Sequence, residues 1–279
     1  MRFLFCLLLL STFVGCGQST YETRLGETTR YYEYLNETES VLDRSWKSRG
    51  PIGGIEIRPP AKFRKISEPK VEKDEDGTVI SVGIDERQPR NIPGFYQGEL
   101  PGIEGAFKKT LDVRLTEGKQ QFNARMYVLA REFLGTGEND LPFRDVVYNQ
   151  LASDLRVESS NSWRTESYPT RDLYARSVDY YEMRFSPGIA VNGFTSSGVV
   201  IQLNAHEAKG KEVVVMWVIP DGGLDSQESK ELKTGIAKSL QTLEVRKATL
   251  EDESSEPEAG DDTPAKPRKK PKKSNTPAF

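Results

Sequence analysis

The sequence predicts an α+β fold, an antiparallel sheet packed against helices, with an N-terminal amphipathic helix before it and a disordered C-terminal tail behind it. Three observations lead there. Strand signals crowd residues 107–219, two strongly periodic helices interrupt and close that stretch, and the composition shifts sharply near residues 48 and 249. With 279 residues, 36% of them hydrophobic, the chain can bury a sizeable core in one large domain or two small ones. A formal net charge of -3 sets up no global field of the kind that draws nucleic acid, so charged partners would have to be met locally.

In chain order, Met1-Arg2 supplies one positive charge, and residues 3–14 form a short apolar run before the small residue Gly15. That is the plan of a signal peptide over residues 1–15, too short to persist as a spanning anchor. Residues 20–46 read as one helix, with Tyr21, Leu25, Tyr32, Leu35, Leu42 and Trp46 on one stripe. The alternating spacing of four and three is that of a coiled-coil seam, interrupted by Thr28 and Glu39. So short a seam points to a helix packed on its own domain, ahead of a dimerising stalk.

Residues 48–105 are crowded with prolines and glycines and read as irregular chain with short strands. Gly54-Ile55-Glu56-Ile57-Arg58 has the look of an edge strand stopped by Pro59 and Pro60. Residues 71–82 read as a hairpin turning at Asp76-Gly77, and the acidic Asp74-Glu75-Asp76 lacks the remaining ligands of a calcium loop.

The α+β domain is expected over residues 106–248. Residues 107–115, 122–133, 175–185, 198–205 and 212–219 are rich in β-branched and aromatic residues. Residues 213–219 are apolar throughout, which marks a strand covered on both faces and hence the centre of the sheet. A helix over residues 142–155 carries Phe143, Val147, Leu151 and Leu155, with Asp140 placed to cap it. A closing helix starts from the capping-box pair Asp225 and Glu228 and presents Leu232, Ile236, Leu240 and Leu243. Residues 249–279, acidic and then basic with prolines between, can form no core.

Two resemblances follow from these residues. The run Phe13-Val14-Gly15-Cys16 resembles the lipobox of bacterial lipoproteins, with Phe13 where that family prefers leucine. The resemblance implies cleavage before Cys16, a diacylglyceryl group on its thiol and an exported chain tethered to a membrane of the cell envelope. Two or three acyl chains anchor stably, at roughly 0.8 kcal/mol per buried methylene. The only other cysteine, Cys6, lies in the expected signal peptide, so the mature chain would carry no internal disulfide. Residues 107–245, ending in a helix containing Ile236-Ala237-Lys238-Ser239-Leu240, resemble in order of elements the PsbP-like α/β/α sandwich, whose members serve as binding or assembly modules.

The catalytic search is short. His206 is the only histidine and reads as an exposed strand-end residue, and Gly193-Phe194-Thr195-Ser196-Ser197-Gly198 is not a nucleophile elbow. Zinc, copper and haem lack donors. Only a carboxylate site for a hard cation remains, and Asp221, Asp225 and Glu228 are better explained as a turn and a helix start. No glycine-rich stretch completes a phosphate loop. Tyr31, Tyr32, Tyr34, Trp46, Trp163, Tyr180 and Tyr181 are expected to pack the core and its edge. Lys269, Lys270, Lys272 and Lys273 offer a polyanion contact on an otherwise solvated tail. The expectation is therefore a membrane-anchored, non-enzymatic binding or assembly module without a cofactor, its partner an envelope protein or the cell wall. A carboxylate-based hydrolase of envelope polysaccharide and a small-ligand or lipid carrier are the alternatives.

Overall fold

The computed structural model describes residues 18–74, 76–89, 99–116, 118–133, 141–157, 162–169, 177–191 and 193–247. Cys16 with its lipobox-like run, Asp140, and the tail 249–279 with its lysines lie outside them. The described residues form helices α1 (Gln18–Val41), α2 (Phe143–Leu155) and α3 (Ser226–Gln241). The short strands of the first half are β1 (Trp46–Lys47), β2 (Ile55–Ile57), β3 (Arg64–Lys65), β4 (Val71–Lys73) and β5 (Val79–Val82). Then come β6 (Ile103–Leu115), β7 (Gly118–Glu132), β8 (Arg164–Tyr168), β9 (Val178–Phe185), β10 (Val199–Ala208), β11 (Lys211–Pro220) and β12 (Glu244–Val245). The chain is an α+β protein with antiparallel sheets, as expected.

Seven strands make one sheet in the order β3-β6-β7-β11-β10-β9-β8, all neighbours antiparallel. It is three hairpins laid side by side, with β3 added at the outer edge of β6. β11 is fourth of the seven and buried from Lys211 to Val218, the central place its unbroken apolar run requires. The β10–β11 hairpin turns on Lys209 and Gly210, both at positive φ (54° and 77°), the geometry that suits a two-residue connection.

Residues adjacent on a strand point to opposite faces, and β9 uses this to separate the helices. Tyr180 donates its hydroxyl to the carbonyl of Leu240 in α3 (2.6 Å), whereas Arg144 of α2 lies over the ring of Tyr181, 4.0 Å from its centroid. So α3 covers one face and α2 the other, and the domain has three layers. Trp217, Met126, Phe107, Ile236 and Leu240 are buried with the α3 side; Tyr127, Leu129, Met183, Val147 and Leu151 with the α2 side.

Several expectations need correction. α1 ends at Val41, five residues early, because Leu42 bridges to Pro60 and the chain turns back; Trp46 opens β1 and packs edge-on to Phe107 at 5.6 Å. It lies flat enough on the sheet that a Cβ at Gly105 would fall 2.5 Å from the indole. β2 is no edge strand but the middle of a second sheet, β1-β2-β12, with Ile55 and Ile57 buried. Four short or polar strands, β1, β3, β8 and β12, carry no apolar alternation and were not expected. The β4–β5 hairpin turns as expected at Gly77 (φ 78°), where the Asp74 carboxylate accepts from the amides of Asp76 and Thr78.

α2 starts where the sequence places it, at Pro142, and its first amide is held from a strand. Its terminal residue Pro142 provides no side-chain cap; instead Glu212 Oε1 of β11 accepts the amide of Phe143 at 2.8 Å. Arg131 of β7 holds the other oxygen of Glu212 at 2.6 Å, so a buried carboxylate from the central strand both caps the helix and neutralises a cation. α3 follows its sequence signal: Asp225 Oδ1 accepts the amide of Glu228 at 2.7 Å.

α1 is divided. Residues 19–33 are exposed, and the ring contact and ion pair between α1 and α3 come from the last two turns. There Lys238 of α3 lies 3.9 Å from the centre of the Tyr34 ring, pairs with Glu37 at 3.3 Å, and has Thr38 and Leu42 buried nearby. Arg58 forms two hydrogen bonds with Glu39, which holds that carboxyl below its ordinary range. Tyr31 and Tyr32 are therefore not core aromatics; both are exposed, with their rings 6.1 Å apart.

Candidate binding cleft

An open cleft of about 890 Å³ lies at one end of the sheet. One wall is the end of β8, β9 and β10, with Thr165, Asp179, Tyr180, His206 and Glu207. The other is the corner where α3 gives way to β12, with Gln241, Thr242, Leu243 and Glu244. Thr242 makes that corner: its hydroxyl donates to Ser239 O (2.7 Å) and accepts the amide of Arg58 (2.9 Å), locking the helix end to β2.

His206 is not a strand-end residue. β10 continues two residues past it, and the half-buried imidazole sits in the cleft with Nδ1 2.8 Å from the carbonyl of Asp179 and its centroid 5.6 Å from that of Tyr180. Tyr168 stands 5.8 Å beyond Tyr180, so one aromatic from each of β8, β9 and β10 forms a row across the α3-facing side. Burial pushes the Tyr180 phenol well above its ordinary range; burial and then its hydrogen bond to Glu182 push Tyr168 the same way. Both phenols stay protonated and act as donors.

A polar network backs this row. Glu182 Oε2 accepts from Tyr168 (2.5 Å) and Asn204 (2.9 Å), Gln202 donates to Asn204 Oδ1 (2.8 Å), and Arg184 pairs with Glu182 Oε1 (3.0 Å). Gln202 and Asn204 are buried between strands, where these bonds favour one arrangement of the sheet end, although the Gln202 side-chain oxygen is left without a hydrogen-bond partner. Sequence alternation marks residues 199–204 as a strand but cannot show that its polar members meet Glu182 and Tyr168.

The cleft carboxylates are each engaged within the chain. Ser167 donates to Asp179 (2.6 Å), Arg144 pairs with Glu207 (2.6 Å) and Arg246 with Glu244 (2.6 Å). No hydroxyl or carboxylate among the described residues hydrogen-bonds His206, so no nucleophile–base pair is assembled there. Nor do three acidic, histidine or cysteine side chains among the described residues converge to hold a metal; Asp225 is a helix cap and Asp221 and Glu228 do not join it in a site. Trp163, like Trp46, packs at the edge of the core, its indole donating to Asp145 (2.9 Å). No helix among the described residues is long and apolar enough to cross a membrane. No protein-family model matches the chain, and no curated protein is significantly similar to it.

Proposed function

We propose that the protein is a lipid-anchored module of the bacterial cell envelope, exported, tethered through Cys16, and built to bind a partner rather than to transform it. The lipobox-like Phe13-Val14-Gly15-Cys16 supports the address. The cleft around His206 carries the binding half of the reading: its volume falls within the range of ligand sites, and its polar groups are held in place by partners of the same chain. A carboxylate hydrolase needs a carboxylic acid and a carboxylate free to act on either side of a bond. Asp179, Glu207 and Glu244 are instead tied to Ser167, Arg144 and Arg246, an arrangement suited to orientation and hydrogen bonding. The opening of the cleft to solvent favours a ligand held at the surface, such as a wall component or an envelope protein, over a lipid carried inside.

Two measurements test the two halves. Mass spectrometry of the mature N-terminus in membrane fractions should find acylated Cys16, and Cys16→Ser should release the chain or leave it unprocessed; a free N-terminus on a soluble native chain overturns the address. Capture from crosslinked cells should then return an envelope component whose yield falls sharply with His206→Ala. A component retained undiminished by that variant would remove the cleft from the reading.

A further inference from the structure

Among the described residues, α1 leaves an apolar stripe open to solvent. Tyr21, Leu25 and Tyr32 are 66%, 53% and 60% exposed, and they follow one another at the four-three spacing that continues through Thr28 to Leu35. The domain-facing side of the same helix is Tyr34, Glu37, Thr38 and Val41. Tyr32 and Tyr34, two positions apart, lie about 160° from each other around the axis, so the stripe points away from the domain. Beyond Leu35 the seam closes against its own chain: Glu39 goes to Arg58 and Leu42 is buried.

Such a segment is a poor helix by itself. Gly26 sits in its middle, Thr23, Thr28 and Thr29 turn their hydroxyls back onto the carbonyls four residues earlier, and residues 19–33 are all exposed. We propose that α1 pairs in parallel with α1 of a second copy of this chain, through Tyr21, Leu25, Thr28, Tyr32 and Leu35. Charge selects against a membrane surface as the occupant: residues 18–33 carry Glu22, Glu27 and Glu33 against Arg24 and Arg30, with no lysine, so an anionic bilayer does not attract them. Position selects for a second copy. Cys16 precedes the first helical residue by two positions, so lipid anchoring would present every α1 in the same orientation and within about 24 Å of one surface. Because the stripe lies opposite the α3 contact, the α3-bearing sides of such a pair face outwards. Two heptads are too few to hold in dilute solution, and confinement in a membrane supplies the effective concentration that they lack. The orientation argument rests on the anchor proposed above; the stripe does not.

The test is cysteine crosslinking of the full-length chain in intact cells, with Leu25→Cys, Thr28→Cys and Tyr32→Cys on the stripe and Glu27→Cys and Arg30→Cys off it. The expected result is a covalent homodimer from the three stripe positions and little or none from the other two. No dimer at any position, equal dimer at all five, or stripe-specific crosslinks to a different polypeptide each overturns the pairing. Acylation of Cys16, read by mass spectrometry of the same membranes, is scored separately. An acylated chain with no stripe dimer sinks the pairing and leaves the anchor. Stripe dimers from a chain whose native N-terminus is found free and unacylated sink the anchor and leave the pairing.

Discussion

The helices α1 and α3 each carry an apolar stripe, much the weaker in α1, and their fates differ. In α3, Leu232, Ile236 and Leu240 are all buried against the sheet, and the helix starts where Asp225 caps it. In α1, Tyr21, Leu25 and Tyr32 face solvent, and the contact with the domain comes instead from Tyr34, Thr38 and Val41 on the other side. Periodicity therefore reports that a helix has a face to bury, and says nothing about whether its own chain buries it.

The contrast sets the order of expected effects. Leu240→Ala removes a fully buried side chain from beneath α3 and should lower stability by about 2–5 kcal/mol, read from denaturant midpoints of the folded chain. Asp225→Ala leaves the first turn of α3 uncapped and should lower it by about 1 kcal/mol in the same assay. Alkali should act through the α3 side as well. The folded pKa of Tyr180 lies above its unfolded value, so the stability linked to that phenol is complete below about pH 10 and is lost as pH rises beyond it. Tyr180→Phe should flatten this alkaline decline, although it also forfeits the bond to Leu240; an unchanged decline would show that other phenols govern it. At the bottom of the order, Leu25→Ala should shift stability by no more than about 0.5 kcal/mol, because the residue is more than half exposed. A large loss there would break the comparison.

Much of the fold was legible where its determinants are local. The capping box of α3, the turn at Gly77 and the all-apolar run of β11 each lie within a few residues, and each stands where the pattern placed it. What escaped is made of long-range contacts. Glu212 caps α2 from a strand 69 positions away, and β12, two residues long, exists only because β2 is there to receive it. β8 reads Arg-Thr-Glu-Ser-Tyr, without alternation, since an edge strand half in solvent does not need it. The cleft was illegible for the same reason: His206 is ordinary in its own strand and becomes a lining residue only when Tyr180 and the α3 corner close around it.

The laying of three hairpins side by side has a kinetic consequence. β6–β7, β8–β9 and β10–β11 each join neighbours in the chain, and such units zip in microseconds. The bond between the first hairpin and the last is different: β7 must meet β11 across everything from α2 to β10, and β2 must wait for β12 at the far end of the described chain. Closing loops of that size sets the pace of folding. A chain made from its N-terminus onwards thus holds the inner edge of β7 without a neighbour until β11 has followed, and the rate-limiting event is that late encounter rather than the formation of any hairpin.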